Sequence, residues 1–151
     1  MKKEDRLLEK TYCRDARRSR CICARKAQPL DFNIVKRQVI GEYLRIYGSD
    51  REGEDFSLTD CLNVFRYFYR KYKTVIGVDH PRLSKQTIYR ILIDIPFVDK
   101  EDKGGLIVPS DYRSMIDKYF STSFLDCDYS IAHFMSAGVK VCRFYEAVYR
   151  C

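Results

Sequence analysis

Glycine and proline are scarce in this sequence, seven and four residues out of 151. That excludes a collagen-like repeat and a low-complexity linker. With 46% hydrophobic and 32% charged residues, the chain has enough apolar material to bury a core, so it is not wholly disordered. No uninterrupted apolar run approaches the roughly 18 to 20 residues that span a bilayer. The basic N-terminus is not followed by an apolar signal stretch. These absences predict a cytoplasmic protein with no membrane partner. The usual catalytic handles are missing as well: there is no Gly-x-x-x-x-Gly-Lys-Ser/Thr phosphate loop, no Gly-x-Gly-x-x-Gly, no His-Glu-x-x-His and no Gly-x-Ser-x-Gly. The expectation is therefore a non-enzymatic protein without a cofactor. Acid pairs such as Asp99/Asp102 and Asp126/Asp128 exist, but paired carboxylates act as acid and base only in a cleft that separates their pKa values. Capping a helix is the commoner use of a loop acid, and Asp126 is expected to do that.

The seven cysteines are an odd number with no secretory context, in a chain long enough to form one domain without staples. Reduced thiols are the expectation. Cys13, Cys21 and Cys23 cluster, yet they lack the paired Cys-x-x-Cys spacing of a zinc knuckle or ribbon, so no metal is predicted. Cys127 and His133 lie six residues apart. They form a thiol and imidazole nucleophile pair only if the chain folds back between them, with Asp126 or Asp128 to orient the ring. The competing expectation is structural: Cys127 and Cys142 as small buried hydrophobes, and His133 as a hydrogen-bonded residue between Ala132 and Phe134.

Charge is where the sequence is most uneven. The formal net charge is +7, but residues 1–37 carry 12 Lys/Arg against 5 Asp/Glu, while residues 38–151 carry 16 of each sign. A basic N-terminal arm, residues 1–28, thus precedes a neutral body, residues 29–151, expected to be one globular helical domain. Arg14, Arg17, Arg18, Arg20, Arg25 and Lys26 fall within thirteen residues, beside Tyr12. A cationic segment of this density suits a phosphate backbone, because each neutralised phosphate releases condensed counterions. An acidic protein surface or a solvated helix face are the alternatives.

Along the body the apolar spacing is helical. Gln28-Pro29-Leu30 breaks the arm, and Asp31 is placed to cap a helix whose apolar positions Phe32, Val35, Val39, Ile40, Tyr43, Leu44 and Tyr47 step by three or four up to Gly48. After a charged loop, Ser57 and Asp60 are spaced as a capping box. They open a helix with an aromatic face, Leu58, Cys61, Leu62, Phe65, Phe68, Tyr69 and Tyr72. Arg66, Arg70, Lys71 and Lys73 crowd its other side. The rings belong in a core, which leaves those four cations free to bind. Ser84 is expected to cap a short helix through Ile88, Ile91 and Leu92, and Ser110 one through Tyr112 to Phe120. The segment from Asp126 to Cys151 reads as two short helices interrupted at Gly138, with Ile131, Phe134, Met135, Val141, Cys142, Tyr145, Val148 and Tyr149 facing the core.

Between these, Phe97-Val98 and Leu106-Ile107-Val108 flank the loop from Asp99 to Gly105. That pattern predicts a short two-stranded β-ribbon. The fold class expected is therefore mainly α, a compact domain of about five to six helices with one β-ribbon. A helix followed by a ribbon is the arrangement of a winged helix-turn-helix, in which Lys85, Gln86, Thr87 and Arg90 would read bases. The stretch from Tyr72 to Ser84 is long for that motif's turn, and the ribbon loop is more acidic than basic.

The segments His80-Pro81-Arg82-Leu83-Ser84, Asp117-Lys118-Tyr119-Phe120 and Asp126-Cys127-Asp128-Tyr129-Ser130-Ile131-Ala132-His133-Phe134 resemble a group of small uncharacterised proteins encoded on phages and integrative elements of Gram-positive, clostridia-like gut bacteria. The resemblance extends over residues 57–150 and brings no assigned catalytic residues. It implies a mobile-element protein acting in a bacterial host cell, either a regulator of the element's own genes or an inhibitor of host defence of the anti-CRISPR type. Three functions stand after the sequence: a non-enzymatic inhibitor binding nucleic acid or a guide-loaded nuclease, a winged-helix DNA-binding regulator, and a Cys/His enzyme.

Overall fold

A computed structural model describes residues 32–98, 107–136 and 138–148. The basic arm with Arg14, Arg17, Arg18, Arg20, Arg25 and Lys26, its cysteines, Asp31 and the loop at 99–106 lie outside the described residues. Within them the protein is mainly helical, with six helices: α1 (Phe32–Tyr47), α2 (Leu58–Ile76), α3 (Lys85–Asp94), α4 (Asp111–Ser121), α5 (Ile131–Phe134) and α6 (Val139–Val148). Helix α1 packs on α2 and α3, α2 on α4, and α6 on both α4 and α5. None of the described helices is long and apolar enough to cross a membrane.

The longest helix, α2, is stopped at both ends by local chemistry. The Ser57 hydroxyl accepts from the Asp60 amide and the Asp60 carboxylate accepts from the Ser57 amide, the reciprocal box that satisfies two orphan donors. At the other end Gly77 turns left-handed (φ +96°) and its amide donates to the Lys73 carbonyl at 2.9 Å. Between these stops Cys61, Leu62, Val64, Phe65, Phe68, Tyr69 and Tyr72 are buried. Phe68 is central, with ring centroids of Phe120, Phe134 and Tyr119 at 5.0, 5.5 and 5.9 Å. Helix α1 ends as expected at Gly48 (φ +82°), whose amide donates to Leu44.

The loop between α1 and α2 is held by one strained residue. Phe56 takes a positive φ of 61° that an L side chain rarely adopts. Its carbonyl accepts from Tyr43 Oη and Arg51 Nη2, both at 3.2 Å, and lies 3.7 Å from the Cys61 sulfur. The Arg51 guanidinium also sits 4.0 Å from the Tyr47 ring centroid. These contacts over-determine the backbone and offset its strain.

Four sequence expectations are corrected. The β-ribbon is not seen: there is no strand among the described residues, and Phe97 makes only an isolated bridge. Of the apolar residues read as strands, Val98 and Ile107 are buried in the helical core instead. Ser110 makes no side-chain cap; the Asp111 carboxylate accepts from the Val108 amide at 3.0 Å in its place. Asp126 does not cap α5, because Ser130 does, accepting from the His133 amide. Finally, α6 presents a different face from the one its hydropathy predicts: Cys142 and Tyr145 are exposed, while Lys140, Arg143 and Phe144 are buried. Lys140 is drawn inward because its ammonium donates to the Asp94 carbonyl at 2.8 Å, at the negative end of α3. Arg143 lies over the Phe124 ring and pairs with Glu146.

Candidate functional site

The candidate site lies on the cationic side of α2, which carries Arg66, Arg70, Lys71 and Lys73. It borders two adjoining clefts, both lined by Arg66 and Arg70 and neither by Lys71. One, of about 350 Å³, is also lined by Phe32, Tyr69, Lys73 and Asp79. The other, of about 470 Å³, lies toward α4 and includes Tyr67, Ser110 and Arg113. Arg66 reaches Asn63 Oδ1 at 3.3 Å and covers the Phe32 ring at 5.0 Å from its centroid. Arg70 is exposed and makes no ion pair among the described residues. Lys71 and Lys73 are each tied to a carboxylate, Asp117 and Asp79, at 3.2 Å. Surface pairs of this kind are worth little and are easily exchanged for another anion.

Sequence reasoning missed the partners that order this surface. Tyr67 Oη donates to Asp117 Oδ1 at 2.6 Å, tying α2 to α4, and Arg113 stacks over the Tyr67 ring at 5.0 Å. Burial, followed by the Asp117 hydrogen bond, raises the Tyr67 phenol above its ordinary pKa and keeps it a donor. The fifty-residue separation of Tyr67 and Asp117 left no local signal for it.

The readers expected on α3 are placed elsewhere. Lys85, Gln86 and Arg90 are exposed on a helix that packs against α1, and none of them lines either α2 cleft. Thr87 is half-buried, its hydroxyl 2.9 Å from the Ser84 Oγ and its amide donating to that oxygen. The arm residues Arg14, Arg17, Arg18, Arg20, Arg25 and Lys26 lie outside the described residues.

The chain does fold back between Cys127 and His133. Cys127 Sγ stands 3.2 Å from His133 Nδ1, and Tyr119 Oη closes the triangle at 2.8 Å from the nitrogen and 3.6 Å from the sulfur. The Tyr129 amide also donates to the sulfur at 3.1 Å. The Cys127 thiol is nonetheless raised above its ordinary pKa, chiefly by burial, with hydrogen bonds from Tyr119 and the Tyr129 amide opposing and Asp128 adding to the rise. A nucleophilic thiolate requires the reverse. Cys127 is half-buried, and neither it nor His133 lines the clefts described above or the cavity of about 920 Å³ between α4 and α6. Asp126 and Asp128 orient nothing at the ring; Asp128 accepts from the Ser130 amide.

No group of three His, Cys, Asp or Glu side chains able to hold a metal occurs among the described residues. No protein family, no curated protein and no solved structure matches the chain.

Proposed function

We propose that the protein is a non-enzymatic nucleic-acid or nucleoprotein binder that grips phosphate through the cationic side of α2, with the basic N-terminal segment extending the grip. The observation that carries this reading is the pair Arg66 and Arg70, which line two adjoining clefts while Arg70 has no ion-pair partner among the described residues. The excess of positive charge in residues 1–37 adds to it. Together with the resemblance to mobile-element proteins, this favours an inhibitor of a host defence nuclease of the anti-CRISPR type. Nuclease grooves are themselves basic and would repel a basic arm, so the partner is a loaded nucleoprotein in preference to a bare groove.

The test is anisotropy of labelled single-stranded and duplex oligonucleotides over a salt series. Binding whose logarithm falls linearly with log salt, by about 0.7 to 0.9 per phosphate neutralised, is expected, and Arg66→Gln with Arg70→Gln should lower that slope. Salt-independent binding, or none, overturns the reading. A second reading, a DNA-binding regulator, is favoured by the outward exposure of Lys85, Gln86 and Arg90 on α3. It requires a preference for one duplex sequence by orders of magnitude.

A further inference from the structure

Helix periodicity places Arg66, Tyr69, Arg70 and Lys73 on one stripe, spaced by three and four residues, and all four line the cleft of about 350 Å³. Tyr69 is 6% exposed, and its hydroxyl has no hydrogen-bond partner among the described residues. Buried hydroxyls are almost always paired, so an orphan in a cleft wall calls for an explanation.

The two rings packed on it, His80 and Phe32, supply no partner. The His80 ring stacks on Tyr69 at 4.5 Å between centroids, but both of its nitrogens are occupied: Nδ1 donates to the Pro81 carbonyl at 2.7 Å and Nε2 accepts from the Ile131 amide at 3.0 Å. Phe32, edge-on to Tyr69 at 5.9 Å, carries no polar atom. Burial raises the Tyr69 phenol well above its ordinary pKa, so the group remains a proton donor. Around it stand two guanidiniums and one ammonium against a single carboxylate, Asp79, which Lys73 already holds.

We propose that this cleft is a phosphate site: Arg66, Arg70 and Lys73 hold the anion, and the Tyr69 hydroxyl donates the hydrogen bond it lacks among the described residues. The chemistry of the wall selects the ligand. Three cationic side chains line it against one carboxylate, which disfavours a cation and favours an anion. Two planar guanidinium forks match a tetrahedral oxyanion with several acceptor oxygens better than a two-oxygen carboxylate. The site deepens the nucleic-acid reading and rests on it only for the source of the phosphate, a strand backbone in preference to a free phosphate compound. The basic segment continues from Phe32, a residue of this same cleft.

The experiment uses the full chain with three probes: inorganic phosphate, glutarate, and a labelled single-stranded 12-mer. Binding of the first two is followed by calorimetry and thermal shift, and of the third by anisotropy. Tyr69→Phe removes only the orphan oxygen, so the ligand-free protein should melt at an equal or higher temperature, while phosphate and oligonucleotide affinities should each fall roughly five- to tenfold. Arg70→Gln, at an exposed position that folding does not need, should weaken both by tenfold or more. Unchanged phosphate affinity in both variants, or glutarate binding as tightly as phosphate, overturns the site. If the oligonucleotide binds the wild type and neither variant alters it, the cleft proposal fails and the nucleic-acid reading stands. Phosphate binding lost in Tyr69→Phe with no oligonucleotide binding at all upholds the cleft and removes the nucleic-acid reading.

Discussion

His80 Nε2 accepts the amide proton of Ile131 at 3.0 Å, joining residues fifty-one apart in the chain. The other ring nitrogen donates to the Pro81 carbonyl, which sets the tautomer: proton on Nδ1, lone pair on Nε2. Ile131 is the first residue of α5, and its amide is one of the donors a helix start leaves unpaired. A side chain from the loop between α2 and α3 thus holds a helix of the C-terminal segment in place.

This contact predicts a pH dependence. Burial, opposed by the Pro81 carbonyl and by Asp128, lowers His80 from its ordinary 6.5 to about 4. The unfolded chain therefore binds a proton that the folded one refuses between those values, and stability falls as pH drops from about 6.5 toward 4, by roughly 3 kcal/mol for this group. Above 6.5 the contribution is complete. His80→Leu should be less stable at pH 7, because the Ile131 amide loses its acceptor, and should show a flatter decline over the same interval. Urea unfolding from pH 7.5 to 4 measures both; a variant with the wild-type slope would rule out His80 as the source.

The Cys127 thiol, raised by burial, predicts low reactivity despite its contact with His133. Iodoacetamide at pH 7 should alkylate exposed Cys142 faster than Cys127, as read by peptide mass spectrometry. The opposite order would show an activated thiol and revive the Cys/His enzyme.

Both stops of α2 can be probed without touching the core. Ser57→Ala removes one half of the capping box and should cost about 1 kcal/mol. At Gly77 a Cβ would meet no atom within 4 Å, so Gly77→Ala reports the strain of φ +96° alone and should also cost about 1 kcal/mol. Denaturant midpoints for the two variants check these values. No loss in Gly77→Ala would mean that the helix ends differently in solution.

Two faces compete for nucleic acid, and substitution separates them. Arg70→Ala should weaken binding of all sequences alike, as a phosphate contact does, whereas Arg90→Ala should matter only if α3 reads bases. Removing residues 1–26 should weaken polyanion binding and flatten its salt dependence. Measured on a panel of duplexes, a loss in Arg90→Ala confined to one sequence would favour the regulator.

The helical content and the start of α2 were legible because they depend on neighbours within four residues: Ser57 with Asp60, and the three-and-four spacing from Cys61 to Tyr72; the last turn, which carries α2 on to Ile76, reads in the sequence as part of a connection. The orientation of α6 was not legible. By hydropathy Tyr145 belongs inside and Lys140 outside, yet Lys140 is buried because its ammonium finds the Asp94 carbonyl, which no local pattern announces. The ribbon failed for a related reason, since a few apolar residues fit a strand or a core-facing turn equally well, and Val98 and Ile107 found room in the helical core.

The sequence by itself determined where the helices lie and that positive charge gathers at the N-terminus and on α2, because spacing and formal charge are properties of neighbouring residues. Only the tertiary structure decided that Tyr69 would be buried among cations with no partner among the described residues, that Cys127 would meet His133, and that His80 would anchor α5. Each depends on whether a polar atom, once removed from water, finds a matching group on a distant part of the chain.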